Sequence, residues 1–230
     1  MEKYLLAIEI IGTVAFAMSG VLMGIKKDLD LFGVVMLGLI AATGGGLIRD
    51  MMLGQVPPVM FQKPVYAVTA VVVGVLMLIP RVYRFTVRHQ RDYELVMLVS
   101  DSAGLGLFTA AGLAAAINAG YGYNQFMVIF TGVWTGVGGG LLRDVISQSL
   151  PYIFTKHFYA SACIIGAVAG ALLWNQLGEQ GATYLCAVLV FVVRLLAARF
   201  RWKMPRASKV LGTITELQEE ELQEREQAQD

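Results

Sequence analysis

Six charged residues stand inside stretches that are otherwise apolar: Glu9, Arg49, Asp50, Asp101, Arg143 and Asp144. A charge facing lipid at the centre of a helix costs about 2.5–3.5 kcal/mol. These groups must therefore pair, face a protein or water interior, or reach an interface. Two kinds of chemistry follow: internal bridges that tie helices together, or the lining of an ion path. The six carry a net charge of −2, or −1 with Arg194 added, a balance that suits cations better than anions. Successive residues on a helix point about 100° apart, so Arg49 and Asp50 are not expected to pair with each other. Pairs across helices are expected instead, with Arg49 and Arg143 meeting Asp101 and Glu9 or each other's aspartates.

Four of the six belong to a phrase that occurs twice. "GGGLIRDMMLGQVPP" at 44–58 returns as "GGGLLRDVISQSLPY" at 138–152. An offset of 94 residues places Gly44, Gly45 and Gly46 on Gly138, Gly139 and Gly140, Arg49 and Asp50 on Arg143 and Asp144, and Pro57 on Pro151. Upstream, an offset of 92 places Glu9 on Asp101, Gly12 on Gly104, Phe16 on Phe108 and Gly20 on Gly112. Nearby hydroxyls, Ser19, Thr43, Thr131 and Thr135, could cap backbone carbonyls or line a path, although bonding back to the preceding helical turn is their commoner role.

The elements that must position these residues are membrane spans. The chain has 230 residues, 57% of them hydrophobic and 15% charged, more apolar than a soluble domain requires. Its net charge of +1 offers no basic surface for nucleic acid. Seven apolar runs of the length that crosses a bilayer are read at about 4–25, 31–53, 65–83, 93–116, 124–150, 158–175 and 182–200. "AFA" at 15–17 imitates a signal-peptide cleavage site, but Glu9 interrupts the apolar region and Glu2 weakens a positive start, so retention of the first run is expected. Cys163 and Cys186 both fall in spans and read as free apolar thiols. His89 and His157 lie at loops or span ends, with no cluster that would hold a metal.

The offset divides the spans into two repeats, at about 4–83 and 93–175, followed by a seventh helix at about 182–200. Three spans per repeat is an odd number, so the second repeat enters the membrane inverted. The fold class is an all-α membrane protein: two inverted three-helix repeats plus one helix, in a domain covering 1–202. An acidic, Gln-rich tail of flexible character follows at 203–230. Basic residues set the orientation. The flanks on the N-terminal side hold Lys3 and Lys63. The other side holds Lys26, Lys27, Arg81, Arg84, Arg88, Arg91, Lys156, Arg199, Arg201, Lys203, Arg206 and Lys209. By the positive-inside rule the N-terminus is outside and the tail is cytoplasmic, in a cell inner membrane.

The glycine runs fall midway along the second and fifth spans. Paired broken helices near the midplane mark the pathway in inverted-repeat folds. The plainer alternative is close helix packing by small residues. Pro57, Pro58 and Pro151 set the exits. Trp134 and Phe61 read as packing or interface residues.

"GGGLIRDMMLGQVPPVMF" and "GGGLLRDVISQSLPYIF", in a chain of three plus three plus one spans, resemble the prokaryotic branch of the TRIC family, the trimeric intracellular cation channels. That branch overlaps a bacterial group labelled glycine transporters, and the resemblance covers about residues 4–200. It implies an hourglass pore between the inverted halves of each protomer, a homotrimer in the lipid bilayer, and conduction of monovalent cations, chiefly potassium, with no cofactor beyond the permeant ion. It implies that the glycine-kinked second and fifth helices line the pore, which carries over to Gly44, Gly45, Gly46, Gly138, Gly139 and Gly140, and to the Arg and Asp that follow. The basic lipid-binding motif of the animal members is not found here. A carrier for glycine or another small amino acid is the alternative, with a substrate carboxylate held at a half-helix N-terminus near Arg49 or Arg143. No nucleophile motif, zinc pattern or phosphate loop points to an enzyme.

Overall fold

The computed structural model describes residues 3–155 and 158–202. The expected tail, together with Lys156 and His157, lies outside the described residues. No strand occurs among them. The helices are α1 (Lys3–Lys26), α2 (Leu31–Met52), α3 (Val59–Gln62), α4 (Val65–Leu78), α5 (Pro80–Thr86), α6 (Gln90–Ala116), α7 (Gln125–Ile146), α8 (Tyr152–Thr155), α9 (Ala160–Leu172) and α10 (Trp174–Arg199).

The repeat is visible in how the long helices begin and end. Asp30 caps α2 by accepting from the Gly33 amide at 2.6 Å, and Asn124 caps α7 by accepting from the Met127 amide at 3.0 Å. Each cap satisfies one orphan amide of the first turn. Past the C-termini, Gly54 (φ 69°) and Gln148 (φ 50°) both adopt left-handed backbone. The second half thus carries a glutamine where the first uses the residue that enters this region without a Cβ penalty.

Among the described residues, five helices are long and apolar enough to cross a membrane, or six if α4 and α5 count as one bent span. The expected third span, 65–83, is shorter than the sequence reading. α4 stops at Leu78 and the chain turns by 89° into α5. Pro80 explains this: it removes an amide donor and pushes Ile79 into extended backbone (ψ 119°). α9 covers 13 residues of the expected sixth span. The last helix begins at Trp174, ahead of the expected 182, and breaks at Gly178 (φ 70°, ψ 171°).

α1, α2, α6 and α7 form the centre. Gly12 faces Phe108 and Gly104 faces Phe16, so α1 and α6 run antiparallel. The same reasoning holds for α1 with α2, where Gly20 meets Leu37 and Gly24 meets Val34, and for α6 with α7, where Gly112 meets Thr131 and Gly136 meets Leu105. α2 and α7 are therefore antiparallel too. α4 packs on α1 and α2, as α9 packs on α7 and α6, and α10 closes against α6 and α9. The free thiols Cys163 and Cys186 are both buried.

The glycine runs do not break their helices. α2 and α7 are helical throughout, which corrects the expectation of broken spans. Packing supplies what helix propensity lacks here. A Cβ on Gly45 would collide with the carbonyl oxygen of Thr135, and one on Gly139 with that of Ala41. Ala41 and Thr135 are themselves 94 residues apart. The two contacts are reciprocal, as in a crossing with two-fold character. The plainer reading, close packing, describes this crossing.

Candidate functional site: two buried arginine–carboxylate clusters and the clefts above them

Arg49 and Asp50 lie in the last turn of α2, and Arg143 and Asp144 in the last turn of α7. Because those helices are antiparallel, the two pairs sit towards opposite ends of the bundle. At one end, Arg49 Nη1 meets Glu9 Oε1 of α1 at 2.5 Å and Arg49 Nε donates to Asp50 Oδ1 at 2.8 Å. The Tyr66 hydroxyl of α4 donates to Glu9, and the Val59 amide donates to Asp50 Oδ2 at 2.7 Å. At the other end, Arg143 Nη1 meets Asp101 Oδ1 of α6 at 2.7 Å and Arg143 Nε donates to Asp144 Oδ1 at 2.8 Å. The Tyr159 hydroxyl donates to Asp101 Oδ1 at 3.4 Å, and the Tyr152 amide donates to Asp144 Oδ2 at 2.8 Å. The acid, tyrosine and amide partners of one cluster repeat in the other.

All six charged residues are buried, Arg143 and Asp144 completely. Buried charge of this kind persists only where it is paired and hydrogen-bonded. Two sequence expectations need correction. Each arginine does bind its neighbouring aspartate, because a long side chain can fold back along its own helix once the aspartate is anchored by the amide of Val59 or Tyr152. And the arginines do not exchange aspartates between halves, since they stand at opposite ends. The cross-helix pairs with Glu9 and Asp101 are present, each within its own half.

Three of the four hydroxyls take the commoner role, bonding back to the preceding helical turn. Thr43 and Thr135 bond back to Leu39 O and Thr131 O, at 2.8 and 2.6 Å. Ser19 bonds to Phe16 O and also accepts from Arg143 Nη1 at 2.8 Å. Gly44 and Gly138 pack against Leu142 and Ile48, and Gly140 against the Tyr159 hydroxyl. Gly46 differs: a Cβ added there would meet nothing closer than Arg49 Nη2, at 3.9 Å. Thr43 and Gly46 line a small pocket with Arg49 and Phe108.

Two clefts enter from opposite ends. One, of about 520 Å³, is lined by Glu9, Arg49, Gln55, Asn118 and Glu179. The other, of about 560 Å³, is lined by Lys26, Tyr93, Glu94, Asp101, Arg194 and Arg201. Each reaches the buried acid of one cluster. Between these levels Phe16 and Phe108 stack with ring centroids 5.5 Å apart. Arg194 is buried with its guanidinium carbon 5.0 Å from the Tyr159 ring centroid. Sequence reading missed Tyr66 and Tyr159 as partners of the acids. Their near-repeat spacing of 93 residues was the available signal.

Fold and charged interior define a multi-pass, all-helical membrane protein built on an internal repeat. The glycine-transporter family model matches two stretches, residues 6–81 and 98–175, one in each half. The chain is 37% identical over 201 residues to the UPF0126 inner membrane protein YadS of Escherichia coli K12, covering 86% of this chain and 93% of that one. A crystal structure of a prokaryotic TRIC channel in 0.5 M KCl superposes with a TM-score of 0.80 at 29% identity, over 89% of this chain and 100% of that chain. A second TRIC cation channel gives 0.76 at 33% identity, over 87% and 95%. This chain belongs to the TRIC family, in the bacterial group to which the glycine-transporter model and the UPF0126 proteins also belong.

Proposed function

We propose that the protein is a passive channel for monovalent cations, potassium foremost, of the inner membrane, with one path inside each protomer of a homotrimer. The chain crosses the membrane seven times as two inverted three-helix repeats and a final helix, with the N-terminus outside and the C-terminus cytoplasmic. One observation carries this reading: two polar clefts approach each other from opposite ends, each reaching a buried carboxylate held by an arginine, with the stacked Phe16 and Phe108 between them. Such a path offers wet, weakly binding mouths and a short apolar constriction, as conduction requires. Gly44, Gly45, Gly138 and Gly139, with Thr135, bring α2 and α7 together beside it, while Thr43 and Gly46 line the small pocket at Arg49 and Gly140 packs on Tyr159. The TRIC channels it resembles support the same reading.

The carrier alternative takes its support from the description of the family model. The arginines it would place near a substrate carboxylate, Arg49 and Arg143, already hold two carboxylates each. Purified protein in planar bilayers tests the choice. Unitary potassium currents are expected. Silent bilayers combined with saturable glycine uptake into liposomes would reverse it. Mass measurement in mild detergent should give three copies, and a reporter fused after Asp230 should be cytoplasmic.

A further inference from the structure

Helix α5 is nearly alone at one end of the bundle, contacting little beyond α4 and the start of α6. α4 packs lengthwise along the bundle, with Tyr66 at the Glu9 end and Met77 beside Val34 at the other. The 89° turn after Leu78 therefore sends α5 across the bundle end, in the plane of the membrane interface. Arg81, Arg84, Phe85 and Arg88 line one open groove of about 780 Å³, with Phe85 82% exposed. No carboxylate occurs between Pro80 and Arg91. Asp92, the next acid, accepts from the amides of Arg88 and His89. Among the described residues none of the three guanidiniums has an ion pair. The same end carries Lys26, Lys27, Arg91, Arg199 and Arg201, because it collects the C-termini of α1 and α10 and the start of α6.

We propose that α5 is a docking surface for anionic phospholipid headgroups of the phosphatidylglycerol type. Guanidinium groups match phosphate oxygens through paired donors. A short in-plane helix with arginines beside an exposed aromatic suits the headgroup boundary, with Phe85 reaching the acyl chains. The inference rests on the chain spanning a membrane and not on conduction, so silent bilayers would leave it standing.

Native mass spectrometry of the full chain, released from mixed phosphatidylglycerol and phosphatidylcholine, measures the preference directly. Arg81→Gln/Arg84→Gln/Arg88→Gln should lose it. Each arginine is expected to contribute about a five-fold preference, the change that roughly 1 kcal/mol per basic residue near an anionic surface corresponds to. The matching triple Arg→Lys variant should keep most of it, and the wild-type preference should fall as salt is raised. Unchanged preference in the glutamine variant would overturn the proposal, as would a wild-type preference insensitive to salt. A changed oligomeric mass with unchanged lipid preference would assign the face to contact between protein copies instead. If the triple variant does not fold, Arg84→Gln alone and the wild-type salt series decide the same question.

Discussion

Gly45 lies so close to the carbonyl oxygen of Thr135 that no side chain fits between them, and Gly139 meets Ala41 in the same way. Gly45→Ala and Gly139→Ala should each destabilise the protein by about 1–3 kcal/mol, the usual cost of overpacking. Gly46, one residue along, has open space. Gly46→Ala should be neutral or stabilise by about 0.5–1 kcal/mol through helix propensity. Thermal unfolding in detergent distinguishes the three. Equal loss at all of them would mean that the run serves something other than this crossing.

The arginines give a graded test. Arg143 is completely buried between Asp101, Asp144 and Ser19, whereas Arg49 borders a cleft. Arg143→Ala leaves two buried carboxylates without their counter-ion, at a cost of about 3–5 kcal/mol. Folded yield should drop sharply, and less so for Arg49→Ala. Normal yield of Arg143→Ala with altered currents would make that arginine part of the path rather than of the scaffold.

Phe16 and Phe108 stack between the two clefts. Phe108→Leu keeps apolar bulk and removes the ring, so the fold should survive while unitary conductance rises. The reading is single-channel current at fixed voltage. An unchanged conductance would place the narrowest point elsewhere.

The two mouths differ in charge. In one cleft Glu9 is held by Arg49, which leaves Glu179 with the neutral Asn118 as its side-chain partner. In the other, Asp101 is held by Arg143, which leaves Lys26, Arg194 and Arg201 against Glu94. Cations should collect at the Glu179 mouth and be repelled at the other. In symmetric KCl near ~0.15 M, current entering from the Glu179 side should exceed its reverse. The ratio should approach one at ~1 M, where the Debye length shrinks from about 8 to about 3 Å. Glu179→Gln should reduce it. A linear current–voltage relation at the lower salt would count against the charge assignment.

Several features of this protein are properties of the chain read in one dimension. Apolar runs identify a membrane protein because the bilayer sets their length. The two offsets, 92 and 94, pair Glu9 with Asp101 and Arg49 with Arg143 by register alone. The basic residues fall at one end because they lie in alternate loops. Pro80 marked the end of α4 in advance, although hydropathy carried the expected span past it.

Tertiary structure decided the rest, and distance is the reason. Which acid an arginine meets depends on where its long side chain reaches, so Arg49 takes both Glu9 and its own neighbour Asp50. Tyr66 and Tyr159 became partners of the acids only when α4 and the entry to α9 packed beside α1 and α6. Three glycines in a row weaken a helix locally, but the space left by the middle one of each run, Gly45 or Gly139, is filled by the backbone of the other helix, and that packing keeps α2 and α7 unbroken.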